Sequence, residues 1–236
     1  MNLILLFEAD FTSENRVRLT GRRGEHVTHV HRANAGDSLV VGIENGRIGR
    51  GVIAHADAHS IELEVTLDAD PPPPLPLTLI LALPRPKVLN RVIAAATSLG
   101  VKRIFLINAW RVEKSYWKSP RLSDDNLRLQ RILGLEQARD TVMPSIELRL
   151  FFRSFVEEEL PSVAANTRRL VAHPYGASEC PRDLDEPVTL VIGPEGGFID
   201  AEIGSLQRAG FEAVTLGDRI LRVETAVAAI LGRLFR

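Results

Sequence analysis

A chain of 236 residues, 45% apolar and 25% charged, has an ordinary globular composition and length for one large domain or two small ones. Its 29 basic and 30 acidic side chains leave a net charge of −1, so a nucleic-acid partner must be met by a local basic patch rather than by the whole chain. The single cysteine, Cys180, excludes an internal disulfide framework and a cysteine-based metal site. The apolar start, Met1-Asn2-Leu3-Ile4-Leu5-Leu6-Phe7-Glu8, is too short for a signal segment and lacks a basic flank. No apolar run approaches the ~20 residues of a membrane span. The expectation is a soluble, cytoplasmic protein with no membrane partner.

Taken in chain order, the first 70 residues read as short strands and turns. Ser38–Ile43, Gly49–Ile53 and Ser60–Val65 have strand character, and Glu44-Asn45-Gly46-Arg47 is an Asn-Gly hairpin signal. Short strands at this spacing predict a small β-barrel or sandwich. This part carries 7 basic and 11 acidic residues, net −4, whereas the remainder is net +3. The run Pro71-Pro72-Pro73-Pro74-Leu75-Pro76 favours stiff polyproline II and marks a linker at 71–76.

From 77 to 236 the rhythm changes to alternating strands and helices. Leu77–Leu83 is a continuous apolar run, as in a strand buried on both faces. Leu89, Val92, Ile93, Ala96 and Leu99 recur at helical spacing, and Gly100 stands where a helix-terminating glycine belongs. Val101–Ile107 reads as the next strand, and a helix is predicted over about 124–138. Further strands are predicted near 168–172, 188–192 and 213–216. Asp200 is placed as the cap of a helix with Glu202 in its first turn. Val227, Ile230, Leu231 and Leu234 give a final amphipathic helix. The expected class is α/β with a mainly parallel sheet.

Two runs near the C-terminus concentrate the chemistry. Strand 188–192 leads into Gly193-Pro194-Glu195-Gly196-Gly197-Phe198, and strand 213–216 into Leu216-Gly217-Asp218-Arg219-Ile220-Leu221-Arg222-Val223-Glu224-Thr225-Ala226. The first loop lacks the Gly-Lys-Ser/Thr ending of a phosphate loop and the spacing of a dinucleotide fingerprint. Taken alone it reads as a tight turn requiring positive φ. Two such loops, after what read as neighbouring parallel strands, predict a backbone-lined pocket for a small ligand.

The pair of loops resembles the signature of the SPOUT class of RNA methyltransferases, and more narrowly the RsmE family, which methylates N3 of a uridine in small-subunit (16S) ribosomal RNA. Glu136-Gln137-Ala138-Arg139 … Pro144 is similar to that family's Glu-Gln-x-x-Arg…Pro helix end. His26 … His29-Val30-His31-Arg32 resembles its N-terminal His…Arg element. The likeness covers nearly the whole chain. It implies a SPOUT-type trefoil-knotted methyltransferase domain at 77–236, preceded by a PUA-like, RNA-binding β-barrel at 1–70. It also implies a homodimer whose site is completed by the partner chain, acting on small-subunit rRNA in the assembled subunit.

The resemblance further implies S-adenosylmethionine as the methyl donor. Its binding residues would be His173 and Pro174, then Gly193, Pro194, Glu195, Gly196 and Gly197, and from the second loop Leu216, Gly217, Ile220, Leu221, Arg222, Thr225 and Ala226. Arg222 would steer a phosphate or the methionine carboxylate. Glu224 either accepts or orients the uracil N3 proton, or forms an interhelical or subunit salt bridge at a helix N-terminus. The RNA-binding candidates are Arg16, Arg18, Arg22, Arg23, His29 and Arg32, the densest cationic stretch of the acidic domain, together with Arg111 and Arg139. The segment Trp110–Lys118 mixes aromatics with cations, which suits either stacking on an unpaired base or covering the edge of the core. His26, His29 and His31 have no acidic or cysteine partner at ligand spacing, so no metal is expected.

Two segments depart from the family pattern: Ser98-Leu99-Gly100 at a helix end, and His173-Pro174-Tyr175-Gly176-Ala177 after the strand at 168–172. The cofactor loops alone do not fix the acceptor atom. Ribose 2′-O methylation and a non-catalytic RNA-binding assembly factor are the alternative readings.

Overall fold

The computed structural model describes residues 2–27, 34–57 and 60–235. They fall into two compact units, one of residues 1–73 with 132–143 and one of residues 74–131 with 144–236. The division near Pro73 lies inside the proline run. Residues 132–143, distant in sequence, group with the first unit.

The first unit contains β1 (Ile4–Leu6), β2 (Phe11–Ser13), β3 (Arg16–Leu19), the short helix α1 (Gly21–His26), β4 (Ser38–Ile43), β5 (Ile48–Ala56) and β6 (Ile61–Ala69). They form one sheet in the order β1-β4-β5-β6-β3-β2, antiparallel except for β1 beside β4. The sheet is a curled half-barrel of the PUA-like kind, with β1 and β2 as its edges. Alternation along β3, with Val17 and Leu19 buried between exposed Arg16 and Arg18, points one side inward. Ile4, Leu6, Val41, Ile53, Ile61 and Leu63 complete that core. Leu3 and Leu5 face another set, packing on Ile132 and Leu135. That packing is why 132–143 belongs here. The hairpin between β4 and β5 places Asn45 at φ 57°, the left-handed conformation an Asn-Gly turn requires.

The second unit runs β7 (Leu77–Ala82), α2 (Pro86–Ser98), β8 (Arg103–Ile107), α3 (Asp124–Ala138), β9 (Ser145–Arg149), two short helical turns α4 (Phe152–Ser154) and α5 (Leu160–Val163), β10 (Arg168–Ala172), β11 (Ser178–Glu179), β12 (Val188–Ile192), α6 (Asp200–Arg208), β13 (Glu212–Thr215) and α7 (Val223–Leu234). Of α3, residues 124–131 belong to this unit, with Leu127 in its core. All seven strands are parallel, in the order β11-β13-β10-β12-β7-β8-β9. β12 is buried at every position, as its unbroken apolar run demands.

Helix α2 buries Leu89, Val92, Ile93 and Ala96 and packs against α7, which buries Val227, Ile230, Leu231 and Leu234. Leu99, counted with that stripe in the sequence, is instead 39% exposed, because the helix ends there and Gly100 turns away at φ +89°. Asp200 is not the cap of α6. The cap position is Ile199, whose amide donates to Glu202 Oε2 at 3.0 Å.

Candidate functional site

Three loops leave the carboxyl ends of β12, β10 and β13, and β10 lies between the other two. The two glycine loops therefore do not follow neighbouring strands, as the sequence pattern suggests. Between them the structure places a third loop, His173-Pro174-Tyr175, which also lines the site. Such a carboxyl edge is where parallel α/β sheets bind ligands. The loops enclose a cavity of about 450 Å³, a size suited to a ligand as large as a nucleoside joined to an amino acid.

Most of the residues assigned to the cofactor line this cavity. His173 and Pro174 come from the β10 loop, Gly193, Pro194, Glu195, Gly196 and Gly197 from the β12 loop, and Leu216, Ile220, Leu221 and Ala226 from the β13 loop and α7. Gly217, Arg222 and Thr225 do not line it, nor does Glu224. Gly217 and Arg222 are exposed beside it, and Thr225 and Glu224 lie in the first turn of α7. Sequence reasoning missed the apolar walls formed by Ile192, Phe198, Val214, Val223 and Ile230, and the charged pair Asp200 and Arg219. The walls were legible as strand and helix core but not as ligand surface.

The glycines have separate reasons. Gly197 and Gly217 sit at φ +71° and +119°, and a Cβ there would meet no protein atom within 4 Å. Backbone conformation requires them, and they leave the ligand side open. At Gly193 a Cβ would lie 3.1 Å from the Phe198 ring, and at Gly196 3.1 Å from Cδ of Arg111. Those two are glycines because a side chain already fills the space.

Around the cavity, hydrogen bonds hold the loops to the rest of the unit. Arg111 donates to the Gly196 carbonyl at 2.5 Å. Glu195 accepts from the amide of Arg85, the residue that begins α2, at 2.9 Å. Thr215 Oγ1 donates to the Gly217 carbonyl at 3.0 Å, which tightens the turn after β13. His173 stacks edge-on against Tyr175, with ring centroids 6.0 Å apart. Burial pushes the His173 imidazole below its ordinary pKa, and the nearby Asp200 carboxylate partly offsets this. Burial pushes the Cys180 thiol up, so it stays protonated and unreactive.

The RNA-binding candidates separate by what already holds them. Arg22 donates to both carboxylate oxygens of Glu136, at 2.9 and 3.1 Å, and Arg23 donates to Asp10 and lies 4.5 Å over the Phe7 ring. Both guanidiniums already have internal anionic partners. Arg111 is likewise committed to Gly196. Arg16, Arg18 and Arg139 are exposed, with Arg18 3.8 Å from Glu62 and Arg139 at φ 56° beyond α3. His29 and Arg32, with His31, lie outside the described residues, as does the side chain of His26. Among the described residues no group of His, Cys, Asp and Glu is arranged to hold a metal ion, and no helix is long and apolar enough to cross a membrane.

A parallel α/β unit with a glycine-loop cavity at its carboxyl edge, joined to a PUA-like half-barrel, defines a class, the RNA methyltransferases. Residues 71–235 match the RNA methyltransferase domain model, and residues 19–66 match the RNA methyltransferase PUA domain model. A ribosomal RNA small subunit methyltransferase E from Mycobacterium tuberculosis is 32% identical over 222 residues, covering 90% of this chain and 83% of the relative. One from Treponema pallidum is 28% identical over 236 residues, covering 96% and 88%. The solved ribosomal RNA small subunit methyltransferase E from Neisseria gonorrhoeae, bound to S-adenosyl methionine, superposes with a TM-score of 0.74 at 23% identity, covering 97% of this chain and 95% of that one. A putative methyltransferase from Legionella pneumophila, in complex with bound SAM, gives 0.75 at 24% identity, covering 98% and 95%. The chain belongs to the ribosomal RNA small subunit methyltransferase E family.

Proposed function

We propose that this protein is an S-adenosylmethionine-dependent methyltransferase that methylates N3 of a uridine in small-subunit (16S) ribosomal RNA. The observation that carries the reading is the cavity of about 450 Å³ closed by the loops after β10, β12 and β13. Its chemistry fits the donor. Ile192, Phe198, Leu221, Val223 and Ile230 offer apolar walls for a purine, and Gly193, Gly196 and Gly197 let the backbone approach closely. Asp200 and Arg219 supply the charges that an amino-acid tail needs.

The donor, when bound, supplies a methyl group on a positively charged sulfonium. The protein's own contribution is to align and exclude water. The apolar walls keep the pocket dry, and Arg111, fixed on Gly196, holds the β12 loop in place. Uracil N3 becomes nucleophilic once its proton leaves, and a positioned base adds ~10²–10⁴-fold. We assign that proton to the Glu224 carboxylate, which sits in the first turn of α7 beside the cavity-lining Val223. Arg222, the exposed residue that precedes α7, takes a phosphate beside the cavity.

The family resemblance extends the proposal to a cytoplasmic homodimer, folded as a trefoil knot, that acts on the assembled small subunit. Among the candidates of the first unit, exposed Arg16, Arg18 and Arg139 are the ones we assign to RNA contact. Titration calorimetry with S-adenosylmethionine tests the donor. The expected result is saturable binding, weakened by Gly197→Ala, and no binding at millimolar donor would overturn the enzyme reading.

A further inference from the structure

The segment after β8 exposes more aromatic and cationic surface than the fold uses. Tyr116 and Trp117 pack against the core, and Trp117 Nε1 donates to Asn108 at 3.0 Å. These two cover the edge of the core. Trp110 behaves differently. It is 79% exposed, the most exposed large apolar side chain among the described residues.

Trp110 is not at the tip of a loose loop. Its amide donates to Glu202 Oε1 at 2.8 Å, and Glu202, only 7% exposed, also holds the start of α6. The next residue, Arg111, lines the cavity and is bonded to Gly196. An indole kept in water on a fixed backbone, one residue from the cavity wall, is placed to meet a flat partner.

Beyond it the chain makes two short helical turns, Lys114–Lys118 and Pro120–Leu122, secured by Ser119 Oγ accepting from the Arg121 amide at 3.2 Å and by Asn126 donating to the Arg121 carbonyl at 2.6 Å. Lys114, Lys118 and Arg121 are exposed and form no ion pair among the described residues. The only acid within 110–121 is Glu113. With Tyr116 and Trp117 turned inward, the cations are presented outward at fixed spacing.

We propose that residues 110–121 form the platform for the acceptor strand: an unpaired uridine stacks on Trp110 beside the cavity, and the flanking phosphates lie on Lys114, Lys118 and Arg121. This rests on the proposed RNA methylation and adds the place where the RNA strand lies. Bases stack on aromatic faces whatever their sequence, and phosphates take cations without reading it.

The protein has two tryptophans, so its fluorescence tests the platform residue by residue. A short oligouridylate should quench the emission of wild type and of Trp117→Phe, and leave Trp110→Phe unquenched. Trp110→Ala should weaken oligouridylate binding, read by anisotropy, by about 5- to 150-fold, the range a single stacked base is worth. Replacing Lys114, Lys118 and Arg121 by Gln should flatten the dependence of log affinity on log salt by about 0.7 per lost contact. Binding of S-adenosylmethionine to Trp110→Ala should stay within twofold of wild type, since Trp110 does not line the cavity.

The platform is overturned by bound oligouridylate that leaves Trp110 emission unchanged, by no binding at all, or by Trp110→Ala binding as tightly as wild type. It is equally overturned if Trp110 in the free protein already has blue, iodide-inaccessible emission, because a second copy of the chain then covers it. Failure of donor binding would instead overturn the methyltransferase reading, and the fluorescence result would stand apart from it.

Discussion

Arg22 and Glu136 form a two-pronged ion pair, Nη1 to Oε2 at 2.9 Å and Nη2 to Oε1 at 3.1 Å, across 114 positions of sequence. Glu136 is 1% exposed, and its carbonyl also accepts from the amides of Asn2 and Leu3 at 3.0 Å. The helix end that resembles the family's Glu-Gln motif therefore fastens the N-terminal strand of the half-barrel.

Arg22→Ala should accordingly lower stability. It leaves a buried carboxylate without its counter-charge, which costs about 3–5 kcal/mol for a fully buried pair. The Arg22 side chain is 41% exposed, so water recovers part of this and about 1–3 kcal/mol is expected. Urea denaturation checks it: the midpoint should fall for Arg22→Ala and fall less for Arg22→Lys. An unchanged midpoint would mean Arg22 is free for RNA.

Gly197→Ala and Gly217→Ala should each cost about 1–2 kcal/mol, the penalty for an L-residue at positive φ. No protein atom obstructs the new Cβ at either site, so the fold should survive. Loss of S-adenosylmethionine affinity should exceed the loss of stability, about tenfold or more, if the backbone at those positions approaches the donor. Calorimetry beside thermal melting separates the two. Gly193→Ala differs, because its Cβ presses on Phe198 and the effect should appear in stability as well.

His173 gives a pH dependence of definite sign. Its folded pKa lies below the ordinary 6.5 because burial disfavours the charged ring. Between that lowered value and 6.5 the unfolded chain binds more protons, so stability rises with pH there. The contribution is fully present above 6.5 and is lost as pH falls through the folded pKa. His173→Gln should remove this slope from the urea midpoint between pH 7 and 5. Asp200→Asn should lower the His173 pKa further, which NMR titration of the imidazole would read.

Much of the second unit was legible because its signals are local. Val188–Ile192 is an unbroken apolar strand, Gly100 ends a helix where expected, and the 124–138 helix has the bounds its pattern predicts. The short strands β1 to β3 were not legible, since three or four residues carry too little periodicity. Nor was the split of α3, because Leu127 and Leu135 share one helical pattern while packing in different cores. At the site, the glycine loops marked the cavity. Strand order placed β10 between them, and no local pattern encodes strand order. The partners of Arg22 and Arg23 were hidden for the same reason, since a pairing between residues 22 and 136 appears only once the chain is folded.

The measurement that bears most directly on the account is mass spectrometry of nucleosides from the small-subunit RNA of a strain lacking this protein. The account predicts that 3-methyluridine disappears from that RNA and returns when the wild-type chain is restored, but not when Gly197→Ala is restored in its place. 3-Methyluridine persisting at its full level in the deletion strain would contradict it.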